Sequence, residues 1–217
     1  MKFGVFDHMD ANGAGMANLF ADRLRLTEAY DKAGIYCYHV AEHHCTPLGY
    51  APSPGIFLSS VAQRTRQLRF GPLVYLLPFY HPLRLAEEIC MLDQLSNGRF
   101  QLGIGRGISP VEAGFYGLDS AELRDAYDES LKVLMAALTQ DELSFDGRYH
   151  KFNAVPITVK PVQRPHPPLW YGLISPDSTV WAAANRVNIV SLALAPQAKQ
   201  ITDRYRAEWS ALGHAQA

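Results

Sequence analysis

The segment at residues 35–44 reads Ile35-Tyr36-Cys37-Tyr38-His39-Val40-Ala41-Glu42-His43-His44. It is a short apolar run that ends in three polar residues. A run of this kind, without strict alternation and bounded by turn residues, is typical of a strand that is buried on both faces of a sheet. The same pattern recurs along the chain, and we predict further strands at residues 3–7, 68–77, 100–105, 169–173 and 189–194.

Helical patterns separate most of these runs. One covers residues 19–33 and stops at Gly34, which suits a left-handed helix cap. Another covers residues 123–138, with apolar residues at three- and four-residue spacings. Strands that alternate with helices favour a parallel sheet covered by helices, and we expect a TIM-type β/α barrel. A doubly wound open sheet remains an alternative, because periodicity does not show whether the sheet closes.

The number of predicted strands is six, whereas a closed barrel of this type has eight. We therefore expect an incomplete barrel of about six βα units within one domain, residues 1–217. Residues 143–149 depart from the pattern, since they alternate around Asp146-Gly147. They predict a small hairpin inserted between two units.

The composition favours a small-molecule partner. The formal net charge is -1, with 48% apolar and 19% charged residues. Such a balance offers no basic surface for nucleic acid and no polybasic arm for a membrane. No apolar stretch is long enough to span a bilayer and no leader pattern is present, so we expect a cytoplasmic protein. The three cysteines, which lack paired spacing, are expected to be reduced thiols.

Working residues of a parallel barrel lie at the carboxyl ends of its strands. His43 and His44 follow the second predicted strand and should point to opposite sides, which disfavours a shared metal ion. One imidazole in the cleft would serve as an acid or base near neutral pH. Two hydrogen-bonded histidines without a catalytic role are the alternative.

Two further groups follow later strands. Gly103-Ile104-Gly105-Arg106-Gly107 combines bare backbone with one guanidinium, which would suit a phosphate, although a surface ion pair is the alternative. Ser175 could cap a helix that begins at Pro176, leaving free N–H groups for an anion. A helix that is merely well capped explains the same residues, and Asp177 opposes an anion unless it points away.

Together these segments resemble the bacterial luciferase family of flavin-dependent monooxygenases, in order over nearly the whole chain. The resemblance rests on four segments: Glu42-His43-His44, His81-Pro82-Leu83-Arg84-Leu85-Ala86-Glu87, Leu92-Asp93-Gln94-Leu95-Ser96-Asn97-Gly98-Arg99 and Gly105-Arg106-Gly107.

The resemblance implies reduced FMN, supplied by a separate flavin reductase, that reacts with O2 to oxygenate a hydrophobic, aldehyde-like molecule. His43 matches the catalytic histidine, and His44 is then expected to face the outer helices near Glu88. Arg106 matches the arginine on the FMN phosphate. The other expected cofactor contacts are Gly105 and Gly107, the hydroxyls of Ser175 and Ser178, and a cis peptide at Leu73-Val74.

Aromatic residues near strand ends, namely Phe6, Tyr75, Phe79 and Tyr80, are candidates for an apolar substrate pocket. The resemblance also implies a homodimer formed through the helices after strands two and three. Two positions depart from luciferase, where Ile174 replaces a glutamate and Gly105 replaces a reactive cysteine. A deazaflavin-dependent dehydrogenase or reductase, or a shortened flavin-binding paralogue without turnover, remains an alternative.

Overall fold

The structure, a computed structural model, describes residues 2–11, 13, 15–173 and 175–214. Helices alternate with strands along most of its length. The strands are β1 (Gly4–Asp7), β2 (Cys37–Val40), β3 (Arg69–Pro72), β4 (Tyr75–Leu76), β5 (Leu102–Gly105), β6 (Glu142–Asp146), β7 (Lys151–Pro156), β8 (Leu169–Gly172) and β9 (Asn188–Val190). The helices are α1 (Met16–Lys32), α2 (Pro54–Arg64), α3 (Pro82–Leu95), α4 (Pro110–Phe115), α5 (Leu123–Thr139), α6 (Ser178–Ala184) and α7 (Ala195–Ala211).

The parallel strands follow one another in chain order. They pair as β1-β2-β3 and β4-β5-β8-β9, and an isolated parallel bridge between Phe70 and Phe100 joins the two groups. A doubly wound sheet would reverse its strand order at a switch point, and this sheet does not. No pairing joins β1 to β9 among the described residues, so the fold is a TIM-type barrel with six βα units that does not close.

The third predicted strand is interrupted. Residues 68–77 were expected to run as one strand, whereas β3 ends at Pro72 and β4 begins at Tyr75. The peptide bond between Leu73 and Val74 is cis, as the resemblance implies.

The last strand is also shorter than expected. It ends at Val190, although the apolar run continues to Leu194. Leu192 and Leu194 are 75% and 82% exposed, so the run is not buried beyond β9. A prediction from apolar character alone therefore makes this strand too long.

The helices and the hairpin agree with the sequence within a few residues. The expected helices at 19–33 and 123–138 are Met16–Lys32 and Leu123–Thr139, and α2 and α3 carry proline in their first turn. The inserted hairpin forms from β6 and β7, which pair antiparallel. In the described part of the chain, no helix is long and apolar enough to cross a membrane.

Candidate active site

The expected site residues gather at one edge of the sheet. His43 follows β2, Val74 precedes β4, Arg106 follows β5 and Ser175 follows β8. In the sheet β3 pairs with β2, and β5 lies between β4 and β8. Since the carboxyl ends of parallel strands share one edge, these four residues lie around a common mouth.

His43 lies beside a cleft at this mouth. The cleft has a volume of about 500 Å³ and is bordered by Met16, Phe20, His43, Cys45, Thr46, Pro47, Gly49, Tyr50 and Pro52. The His43 side chain is 25% exposed, and its Nδ1 lies 3.1 Å from Oε1 of Glu112. Its ring also stacks on that of His8, with 5.8 Å between centroids. The imidazole is thus held on one side and accessible on the other.

His43 borders that cleft and His44 does not, as expected, although both residues lie beyond the end of β2 at Val40. The partner expected for His44 is wrong, however. Its Nε2 lies 2.7 Å from Oε1 of Glu42, and its Nδ1 lies 2.9 Å from the Tyr116 hydroxyl. Glu88 accepts a hydrogen bond from Tyr75 instead. His44 is 5% exposed, and its hydrogen-bond partner is the nearby buried carboxylate of Glu42 in place of that of Glu88.

Glu42 is the centre of a buried polar cluster. It is 3% exposed, and besides His44 it accepts hydrogen bonds from the Tyr80 hydroxyl at 2.8 Å and the Leu76 N–H at 3.4 Å. Burial raises the pKa of Glu42, and these hydrogen bonds oppose the rise. The cluster satisfies a buried carboxyl group and connects the end of β2 to β4.

Most of the aromatic residues proposed for a substrate pocket belong elsewhere. Tyr75 is fully buried and Tyr80 donates to Glu42, so neither lines a cleft. Phe79 packs on His44 and Tyr116. Only Phe6 lies beside the mouth, where its ring meets that of His8 at 4.8 Å. The Tyr80 hydroxyl donates to Glu42 and the Tyr75 hydroxyl donates to Glu88, and the cleft is bordered by Phe20 and Tyr50 instead.

The strand ends beside Val74 carry no side chains. Gly105 ends β5 and Gly172 ends β8. A Cβ atom at Gly105 would lie only 2.3 Å from Cγ2 of Val74, so no larger residue fits there without a shift. Position 105 therefore has no room for the cysteine that luciferase carries there. Ile174, the other departure, lies outside the described residues.

Arg106 follows the end of β5 and has no partner among the residues that the structure describes. It is exposed, and no hydrogen bond or ion pair joins it to another of the described side chains. The alternative of a surface ion pair is therefore not what the structure has. Gly107 follows with a φ of 79°, a left-handed conformation that glycine adopts without cost. The loop leaves the guanidinium free at the mouth.

The helix after β8 begins later than expected. It starts at Ser178 and not at Pro176, because residues 175–179 first form a turn with i to i+3 bonds from Ser178 N to Ser175 O and from Thr179 N to Pro176 O. Ser175 Oγ accepts a hydrogen bond from the Asp177 N–H at 3.3 Å. Asp177 is directed to Arg204, 2.7 Å away, so its charge is compensated outside the mouth.

Glu112 and His8 are neighbours of His43 that the sequence did not indicate. Ser109 and Glu112 have the three-residue spacing of a helix capping box. This motif accounts for a glutamate at position 112 without any contact to a catalytic residue. The Glu112 side chain is nevertheless directed to His43. Within the described residues, no group of three or more His, Cys, Asp or Glu side chains is arranged to hold a metal ion.

Known proteins match most of this chain. A family model described as luciferase-like monooxygenase covers residues 1–217. The uncharacterized protein y4wF of Sinorhizobium fredii is 51% identical over 96% of this chain and 61% of its own length. The oxygenase component of a flavin-dependent trigonelline monooxygenase of Acinetobacter baylyi is 28% identical over 87% of this chain and 53% of its own.

A solved structure agrees with these relatives. The crystal structure of monooxygenase RslO1 from Streptomyces bottropensis superposes with a TM-score of 0.92 at 29% identity, over 100% of this chain and 68% of that one. The chain belongs to the luciferase-like monooxygenase family. It spans between half and two thirds of the length of the two curated relatives described above.

Proposed function

We propose that this chain binds reduced FMN at the strand ends and uses it with O2 to oxygenate an uncharged, hydrophobic small molecule. The observation that carries the proposal is the strand-end surface around the half-buried Val74, where Gly172 is exposed and Arg106 lies nearby with no partner among the described residues. A planar ring system can approach Val74 closely there, because Gly172 carries no side chain and the buried Gly105 leaves its space to the valine. The residues present therefore fit a flavin.

The phosphate of FMN would be held at the β5 and β8 end of the mouth. Arg106 can donate two parallel hydrogen bonds to it, and Gly107 leaves room for the approach. The hydroxyls of Ser175 and Ser178 follow the neighbouring strand and are polar donors on the same edge. Since Asp177 is neutralised by Arg204, it does not repel a dianion strongly.

His43 would act as the general acid or base in this reaction. The bound reduced flavin supplies the electrons that activate O2, and the protein supplies binding, orientation and a proton acceptor. The exposed face of the imidazole borders the cleft, where Nε2 can accept or return a proton during oxygen transfer.

The cleft beside His43 would take the organic substrate. The described residues on its border include no Asp, Glu, Lys or Arg, and Met16, Phe20 and Tyr50 give it a largely apolar surface. Such a surface favours neutral apolar compounds over charged ones, because a buried charge without a partner is costly. An aldehyde with an alkyl chain fits these properties.

A separate reductase would provide the reduced flavin. The Acinetobacter relative is named an oxygenase component, which supports a two-component system for this chain as well. A protein that uses a deazaflavin to exchange hydride is the competing possibility within the same fold. A deazaflavin-dependent protein would transfer hydride to or from its substrate without consuming O2.

The test compares His43→Ala with the unaltered chain, using reduced FMN from an added reductase and decanal as the substrate. Loss of a general acid or base should lower product formation by roughly 100-fold or more, while FMN affinity stays the same. His166→Ala is the control, since this half-buried histidine lies in the loop before β8. Equal turnover by His43→Ala would refute the role of His43, and O2-independent reduction of a deazaflavin would favour the competing function.

A further inference from the structure

We infer that Glu112 is a positioning residue for His43, which fixes the imidazole in one tautomer with Nε2 toward the cleft. The inference rests on the proposed function for the catalytic consequence, but the geometry is independent of the flavin. Glu112 is 2% exposed, and its Oε1 lies 3.1 Å from His43 Nδ1. A carboxylate that is so deeply buried needs donors, and His43 is one of them.

The carboxylate is held by a second donor from the same loop. Thr46 Oγ1 donates to Oε1 of Glu112 at 3.2 Å. Thr46 and His43 both belong to the segment that follows β2, so Glu112 connects this segment to α4. The two hydrogen bonds leave the carboxylate little freedom to turn away from the imidazole.

The backbone of Glu112 is fixed as well. Its N–H donates to Oγ of Ser109, which caps α4, at 3.2 Å. In a complete capping box the glutamate side chain would return to the backbone N–H of Ser109. Here the side chain reaches across to His43, so its contact is with the strand end and not with its own helix.

A parallel contact holds α4 one turn further on. The Tyr116 hydroxyl lies 2.9 Å from Nδ1 of His44. Tyr116 is the residue that directly follows α4. Glu112 and Tyr116 therefore bind two neighbouring histidines from α4 and the residue that ends it, and the position of Glu112 relative to His43 is set by two contacts and not by one.

The chemistry of a carboxylate decides the tautomer. An ionised carboxylate only accepts hydrogen bonds, so Nδ1 of a neutral His43 must carry the hydrogen and Nε2 must carry the lone pair. The ring of His8 stacks beside His43 at an interplanar angle of 11°, which further restricts its rotation. When His43 accepts a proton at Nε2, the buried carboxylate stabilises the positive charge that forms.

The test is a measurement of the two ring nitrogens of His43 by nitrogen NMR on histidine-labelled protein, without flavin. The unaltered chain should show one neutral tautomer, with hydrogen on Nδ1. Glu112→Gln can donate as well as accept, so it should show a mixture of both tautomers. Glu87→Gln, on the exposed side of α3, is the matched control and should leave the signals unchanged.

Turnover is then measured on the same variants. Glu112→Gln should lower oxygenation on the order of 100-fold, as expected when a catalytic histidine loses its tautomer, with FMN affinity retained. Glu112→Asp keeps the charge but is shorter, and it should recover part of both the tautomer and the turnover. If Glu112→Gln does not fold, Glu112→Asp is compared with Thr46→Val. Glu112→Asp should then disturb the tautomer of His43, and Thr46→Val should not.

The two ideas can fail separately. An unchanged tautomer in a folded Glu112→Gln or Glu112→Asp variant overturns the positioning role, whatever His43→Ala does. A mixed tautomer together with full turnover by His43→Ala leaves the positioning role intact and overturns the catalytic role of His43.

Discussion

Gly105 lies directly against Val74, and a Cβ atom added to the glycine would lie 2.3 Å from Cγ2 of the valine. The valine follows the cis peptide after Leu73, and the glycine ends the neighbouring strand. Real Cβ contacts are not so short, so the absence of a side chain at position 105 is what allows Val74 to occupy the centre of the mouth.

Gly105→Ala should therefore destabilise the fold and weaken FMN binding. Forcing one methyl group into a packed site costs about 1 to 3 kcal/mol, because neighbouring side chains must leave their preferred positions. Val74→Ala removes the methyl groups in conflict, so the double variant should be more stable than the sum of the single effects predicts. Denaturant unfolding of the four proteins measures this coupling.

Gly114→Ala is the control for this prediction. Gly114 lies in α4, and no atom of the described residues lies within 4 Å of its added Cβ, so alanine should be neutral or stabilising there. Additive effects of Gly105→Ala and Val74→Ala would show that the two positions do not restrict each other.

Arg106→Ala should weaken binding of FMN but not of riboflavin. A hydrogen bond to a charged group contributes about 1.5 to 3 kcal/mol, which corresponds to a loss of roughly ten- to a hundredfold in affinity. Riboflavin has no phosphate and should bind equally to both proteins. Quenching of flavin fluorescence gives both affinities.

Arg124→Ala is the matched control, since Arg124 is an exposed arginine on α5 that is paired with Asp128. It should leave both flavins unaffected. If Arg106→Ala weakened FMN and riboflavin equally, the guanidinium would act on the ring or on the fold and not on the phosphate.

Much of the architecture could be predicted from the sequence, because buried parallel strands and amphipathic helices have distinct periods. Six units and the inserted hairpin follow from those periods. The cis peptide at Leu73-Val74 came from the family resemblance, since no residue type in that strand indicates it.

The contacts between distant segments could not be predicted. Glu112 lies 69 positions from His43, and a capping sequence gave its side chain a local explanation. His44 is expected near Glu88 on the outer helices, whereas its partner is the buried carboxylate of Glu42. The contact between Glu112 and His43 depends on how α4 lies against the segment that follows β2, and no periodicity in a single sequence specifies that arrangement.

His39 should make stability depend on pH. It is buried inside the barrel, its Nε2 has no partner among the described residues, and burial lowers the pKa of His39 to about 4. The unfolded histidine has a pKa of about 6.5 and binds protons more readily, so stability present above that value is lost as the pH falls toward 4.

Between pH 7 and pH 5 this loss should reach roughly 2 kcal/mol for the unaltered chain. His39→Gln removes the titrating group, so its unfolding free energy should fall less over the same interval. Urea unfolding of both proteins at the two pH values measures the difference. Equal decreases would show that His39 does not titrate differently in the folded state.

The outer face of α2 and α3 should mediate self-association. Ile56 is 76% exposed, Met91 is 55% exposed and Leu95 is 49% exposed on these helices. Burying such side chains against a second copy removes apolar surface from water. We expect light scattering to give about twice the monomer mass of 24.2 kDa.

Lysine at both Ile56 and Met91 should shift this protein toward the monomer. Val180→Lys on α6 is the control and should not, since that helix lies on another side of the barrel. A monomer of the unaltered chain at micromolar concentration would contradict the predicted face.

In the proposed function, this chain transfers one oxygen atom from O2 to its substrate by means of reduced FMN. The most direct measurement supplies isotopically labelled dioxygen, reduced FMN and decanal, and follows the label in the product by mass spectrometry. We predict that the acid formed from decanal contains one labelled oxygen atom, and that His43→Ala forms far less of it. An unlabelled product, or hydride exchange with a deazaflavin in place of O2 consumption, would contradict the account.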